Sequence, residues 1–131
     1  YKTAGKYGKI FQAFLRKILK GKYVEKYEYS QIMKNYYSKS DREEDVYPQL
    51  LVGWDRSPRS GRNAIIYKNS NPTAFKEAAK RAITCVEHKT EEHRIIFLNS
   101  WNEWGEGAYM EPDLRYGKGF IRSLKEVLEE M

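Results

Sequence analysis

Cysteine is nearly missing from this chain: Cys85 is the only one in 131 residues. A single thiol excludes an intramolecular disulfide and any cysteine-based zinc site, so a reducing, cytoplasmic setting is the expectation. No run approaches the ~20 consecutive apolar residues of a membrane helix. The apolar positions of IFQAFLRKILKG (10–21) are interrupted by Gln12 and by basic residues, unlike the core of a secretory signal. No glycosylation sequon survives, because Asn71 is followed by Pro72. Acidic residues are absent from the first 24 positions, which carry seven basic ones; the other 107 residues hold 17 basic and 18 acidic groups. The net charge of +6 therefore comes from the N-terminal segment alone. That argues against a domain-wide nucleic-acid surface and leaves residues 1–24 as the one place where a basic partner-binding function could sit. The chain starts at Tyr1 rather than Met, and a fragment or processed product is expected.

What is present points to one globular unit. Apolar residues make up 40% of the chain, enough for a core, and aromatics reach 15%, with 11 tyrosines. A tyrosine excess suits folded binding surfaces better than disorder. Residues 10, 11, 14, 15, 18 and 19 of GKIFQAFLRKILKG form an apolar stripe with basic residues opposite, which predicts an amphipathic helix ended by Gly21. Such a helix can lie on an anionic membrane through residues 10–20, although its ordinary use is to pack on its own domain. KYVEKYEYS (22–30) alternates weakly, as a short strand or an extended lead-in. SQIMKNYYSKS (30–40) reads as a short helix capped by Ser30, and DREEDVYP (41–48) as a charged loop. We divide the chain into a basic helical segment with its charged loop, 1–46, and a second part, 47–131.

The second part alternates. QLLVGW (49–54) reads as a strand, DRSPRSGRN (55–63) as a loop and AIIYKNS (64–70) as another β-rich run. SNPTAFKEAAKRAITCVEH (70–88) predicts a helix capped by Asn71 or Ser70, with Pro72 at its first position and Phe75, Ala79, Ala82, Ile83 and Val86 along one face. RIIFL (94–98) reads as a buried strand. GKGFIRSLKEVLEEM (117–131) predicts a last helix lined by Phe120, Ile121, Leu124, Val127 and Leu128. Strand, loop, helix, strand, long loop, helix is the order of a parallel sheet with crossover helices. In such sheets ligands lie beyond the carboxyl ends of the strands. If strands 49–52 and 94–98 run parallel, GWDRSPR (53–59) and NSWNEWGEGAYMEPD (99–113) open onto one face. His88 and His93 then fall at the opposite end as solvent-facing loop residues rather than catalytic groups, and Cys85 sits on the helix as a packed thiol.

The second of these loops is dense in indoles and carboxylates. Glu103 and Glu106 are three apart, so a helical turn places both on one face. Two carboxylates in different surroundings can divide acid and base work at an acetal. Trp101 and Trp104 offer apolar walls or platforms for the C–H faces of a sugar, and Gly105 and Gly107 permit close approach. Spacing leaves a second use open: tryptophans plugging the end of the sheet, Asn102 capping a turn and glutamates facing solvent. Glu106, Glu111 and Asp113 would suit a hard cation, but no loop signature accompanies them, so neither a metal nor another cofactor is expected.

NSWNEWGEGAYMEPDLRYG (99–117) resembles the closing motif of the WbsX-like glycosyltransferase family, related to family 99 glycoside hydrolases, in its Asn-Glu-Trp-x-Glu-Gly run and following Glu-Pro-Asp. YPQLLVGWDRSPRSGR (47–62) resembles that family's Gly-Trp-Asp-x-Ser/Thr-Pro-Arg loop, and NSNPTAFKEAAKRAI (69–83) its Asn-Pro-x-x-Phe helix. The resemblance spans about residues 47–128. It implies an α/β fold of the (β/α)8 TIM-barrel kind, here a partial barrel of C-terminal βα units with mostly parallel strands, because a whole barrel needs ~200–250 residues. An open partial barrel is expected to self-associate through its edges, cover the gap with its N-terminal helix or take a partner chain. The resemblance further implies a carbohydrate substrate and a role in lipopolysaccharide or other surface-polysaccharide biosynthesis. It makes Glu103 the base that assists attack by the sugar's own 2-hydroxyl and Glu106 the acid/base at the leaving group. Trp54, Asp55, Arg59, Trp101, Asn102 and Trp104 would shape the sugar site, with Glu111 and Asp113 nearby. Gly105 stands where the hydrolases carry His, which sets the chain nearer the polysaccharide-synthesis group. A non-catalytic carbohydrate-binding module built on the same tryptophans is the alternative.

Overall fold

The computed structural model describes residue 14 and residues 24–130. The amphipathic helix expected at 10–21, and the membrane contact attached to it, therefore lie outside the described residues but for residue 14. The elements are β1 (Glu25–Glu28), α1 (Tyr29–Lys34), β2 (Gln49–Leu50), β3 (Trp54–Asp55), α2 (Ser57–Ser60), β4 (Ile65–Lys68), α3 (Pro72–Val86), β5 (Phe97–Leu98), β6 (Asn102–Glu103), β7 (Ala108–Tyr109) and α4 (Gly119–Glu129). Single 3-10 turns stand at Ser40–Arg42, Gly61–Asn63, Glu91–His93 and Trp104–Glu106.

The class is mixed α/β. β4 pairs parallel with β1 and antiparallel with β3, β2 pairs parallel with β5, and β6 and β7 form an antiparallel hairpin. The described residues thus form three small sheets and no complete barrel, and parallel pairs share the fold evenly with antiparallel ones. QLLVGW does not stay one strand. Its first two residues join β5, and Trp54 begins β3 in a different sheet, with residues 51–53 linking the two. A Cβ on Gly53 would stand 2.7 Å from the carbonyl oxygen of Gly107, so glycine here lets two backbones meet.

α3 forms where its local signals place it. The Asn71 side chain accepts from the Ala74 N–H at 3.0 Å, a cap of about 1 kcal/mol, and Pro72 opens the helix. Its apolar face buries Phe75, Ala78, Ala79, Ala82, Ile83 and Val86. α4 packs across it, with Phe75 and Phe120 edge to face at 5.6 Å, while Lys76 and Lys80 pair with Glu126 and Glu130 over the outer rim. Leu128, expected on the apolar face, is 55% exposed, because α4 buries only Phe120, Ser123 and Val127 fully. α1 closes another side of the core. It starts at Tyr29, with Glu28 rather than Ser30 at its N-cap position and no side-chain cap. Tyr29 is fully buried, its hydroxyl donates to the Leu51 carbonyl at 2.5 Å, and burial pushes its phenol far above the ordinary range. That tertiary anchor sets the helix start in place of a serine cap.

RIIFL departs furthest from expectation. Only Phe97 and Leu98 are strand, and Ile95 and Phe97 remain 42% and 57% exposed. β5 has β2 on one edge and no strand on the other among the described residues, so an apolar run that reads as central is here an edge. Cys85 is a buried thiol whose pKa is raised by burial, as a packed cysteine should be.

Candidate active site

The site begins where the β2–β5 ladder ends. Phe97 N–H donates to the Pro48 carbonyl and Asn99 N–H to the Leu50 carbonyl, both at 3.0 Å. The chains then separate, and Asn99 Oδ1 accepts from Val52 N–H at 3.0 Å, so a side chain continues the ladder for one further step. Both loops consequently leave on the same side, as strand direction predicts.

The second loop folds back on itself as the β6–β7 hairpin. Trp101 O accepts from Met110 N–H at 2.8 Å, and Glu103 faces the buried Ala108 across the pair. A 3-10 turn, Trp104–Glu106, links the strands and ends at Gly107, whose φ of 59° is left-handed. A Cβ there would sit 3.0 Å from Asp55 Cβ, so glycine at 107 serves both the turn and the contact with the first loop. The first loop is stiffened by Asp55 Oδ1, which accepts from Ser57 N–H at 2.8 Å, and by the single turn α2, with Pro58 in its first turn.

These supports bring together four charges. Arg59 donates from one guanidinium nitrogen to Glu103 Oε1 at 3.1 Å and from the other to Glu106 Oε1 at 3.3 Å. Arg56 Nε lies 3.3 Å from the same Glu106 oxygen. The Glu106 side chain is 14% exposed and that of Glu103 37%, so two carboxylates on one face have unlike surroundings. Arg56 is absent from the residues picked out in the sequence. It stands one residue after Asp55 in an arginine-rich loop, and only the three-dimensional contact separates it from a solvated charge.

The remaining expected residues divide into four groups. Trp101, 51% exposed, and Asn102 lie on the open rim of the hairpin. Trp104 stacks on Tyr109 with centroids 3.7 Å apart and planes 12° apart, and its Nε1–H donates to Glu111 Oε2 at 2.7 Å; 47% of it is still exposed. Neither indole plugs the sheet. Trp54 lies half-buried on β3 opposite Tyr67. Asp113 is not brought to the carboxylate pair: its Oδ1 accepts from Arg115 and Tyr116 N–H, closing the 113–117 turn, and Oδ2 accepts from the Tyr109 hydroxyl. Burial, followed by the Asp113 charge and hydrogen bond, raises the Tyr109 phenol above its ordinary value. Among the described residues no group of three or more His, Cys, Asp or Glu is placed to hold a metal ion, and no helix is long and apolar enough to cross a membrane.

Comparison with known proteins gives the family of the chain. Two relatives from strains of Xanthomonas campestris pv. campestris, each described as uncharacterized protein WxcX, are 34% identical to the chain over 91 residues. That stretch is 66% of this chain and 13% of each relative, so the chain spans only a small part of their length. No solved structure matches. The family described as Glycosyltransferase WbsX matches residues 3–124, and the chain belongs to that family.

Proposed function

We propose that these residues form part of a carbohydrate-active enzyme that transfers or hydrolyses glycosyl groups during assembly of bacterial surface polysaccharide, lipopolysaccharide included. The observation that carries the reading is the meeting of Glu103 and Glu106 on one guanidinium at the carboxyl ends of two parallel strands. The likeness to family 99 hydrolases supplies the division of labour. Glu103 takes the proton of the 2-hydroxyl as O2 bonds to C1, and Glu106 protonates the leaving oxygen as its bond to C1 breaks. An acceptor hydroxyl, or water, then attacks C1 of the 1,2-anhydro sugar and gives its proton to Glu106. Glu103 returns its proton to O2, so the anomeric configuration is retained, by a route other than the usual carboxylate nucleophile.

The half-exposed Trp101 and Trp104 support sugar stacking, and by themselves they favour the second reading, a binding module without catalysis. The two readings part on one experiment. The intact protein and its Glu103→Gln and Glu106→Gln variants are assayed for turnover and for binding on a panel of aryl glycosides and surface polysaccharides. Catalysis predicts turnover lost with binding kept. Binding kept by every variant, with no turnover by the unaltered protein, leaves the binding module.

A further inference from the structure

We propose that Arg59 is the positioning residue of the carboxylate pair, fixing one oxygen of each glutamate so that the other oxygen of each is presented to the sugar. The inference rests on the catalytic reading above and adds to it a holder for both groups. Both of its hydrogen bonds end on Oε1 atoms, at 3.1 Å and 3.3 Å, and Oε2 of neither glutamate carries a hydrogen bond among the described residues. A guanidinium is a rigid planar fork, so its two terminal nitrogens set the relative placement of whatever they hold. Arg56 adds a second cation at Glu106 Oε1, 3.3 Å away, and leaves Glu103 to Arg59 alone. The fork has a stable base: Arg59 N–H and Ser60 N–H both donate to the Arg56 carbonyl, at 3.1 Å and 2.8 Å.

Gly105 leaves room for the bridge. A Cβ at this position would lie 3.0 Å from Glu103 Oε1, 3.3 Å from Arg59 Nε and 3.5 Å from its terminal nitrogen. The missing side chain is the space in which the bridge is made. Glycine at 105, where the related hydrolases carry His, and arginine at 59 are then two halves of one device. Because the nearest atoms are the ends of flexible side chains, Gly105→Ala disturbs the bridge without forcing the backbone to move.

The test uses the intact protein with Arg59→Ala, Arg59→Lys and Gly105→Ala, read by steady-state kinetics on a 4-nitrophenyl glycoside panel and by crystal structures of the variants. Arg59→Ala is expected to lower kcat about 100-fold with KM little changed, the signature of misplaced rather than missing groups. Lysine, a point charge on a flexible stem, should recover no more than about threefold of that loss, whereas added guanidinium ion should recover about tenfold. In the Arg59→Ala crystals both carboxylates should leave their present positions, and in Gly105→Ala that of Glu103 should. Carboxylates unmoved in Arg59→Ala would overturn the proposal whatever the activity, and so would a raised KM with unchanged kcat, which would make Arg59 a sugar-binding group. Moved carboxylates together with full turnover in the glutamine variants would uphold the positioning role and remove the catalytic reading instead.

Discussion

The two ends of the β2–β5 pair use similar residues in opposite ways. At the amino end, Lys89 is 1% exposed, donates to the Val46 carbonyl and lies 5.8 Å from the Tyr47 ring centroid. The Tyr47 hydroxyl shares a 2.6 Å hydrogen bond with His93 Nδ1, and Thr90 donates twice to Glu44 Oε1, at 2.9 Å and 2.5 Å. His88 Nε2 donates to the Arg42 carbonyl at 2.8 Å. Each of these groups is taken up in fastening the 39–48 loop to the α3–β5 connection. At the carboxyl end two glutamates are each held by one oxygen, and two indoles keep about half their surface in solvent. A lysine, a histidine and a carboxylate make a fastener at one end; carboxylates, arginines and indoles make an open site at the other. Carboxylates, basic groups and aromatic rings occur at both ends, and unspent bonding capacity separates them.

Substitutions at the two ends should therefore have unlike consequences. The largest change in stability is expected from Gly53→Ala, whose new Cβ would meet the Gly107 carbonyl at 2.7 Å and part the two loops. Overpacking against backbone should lower unfolding free energy by about 3 kcal/mol in urea titrations. Lys89→Met keeps most of the buried stem but leaves the Val46 carbonyl without its donor, and a loss of about 2 kcal/mol is expected with turnover unchanged. Trp104→Ala removes a platform backed by Tyr109 and should weaken glycan binding roughly fivefold in calorimetry, with little effect on stability. The smallest effect belongs to Glu44. Hydrogen bonds from the Thr90 side chain and then its backbone hold the Glu44 carboxyl below its ordinary 4.5. Its folded pKa is the lower one, so its stabilisation is complete above pH 4.5 and fades as pH falls through the folded value. Glu44→Gln should flatten the acid limb of the urea midpoint against pH and leave the neutral limb alone.

Local chemistry made some of this legible in the sequence. Asn71 and Pro72 mark the start of α3 within one turn, and strand direction alone puts 53–59 and 99–113 on one side. What escaped depends on contacts across the chain. An apolar run such as RIIFL reads the same in a central strand and at an open edge, and only neighbouring strands decide. Ser30 is a good cap by type, yet Tyr29, drawn into the core, begins the helix first. Asp113 resembles a site carboxylate until both its oxygens are seen to be taken, one by the 113–117 turn and one by the Tyr109 hydroxyl. Arg56 gave no signal beyond its charge, because a basic residue in a loop is ordinarily solvated.

The catalytic reading makes the carboxyl end of the β2–β5 pair the working end. The most direct measurement is kcat of the intact protein on one glycoside substrate for Glu103→Gln and Glu106→Gln beside His93→Ala and Lys89→Met, each first confirmed folded by circular dichroism. Losses of about 1,000-fold are expected for the two glutamine variants and changes within about threefold for the amino-end pair. Glutamine variants that turn over at the unaltered rate, or losses confined to His93 and Lys89, would contradict the catalytic reading.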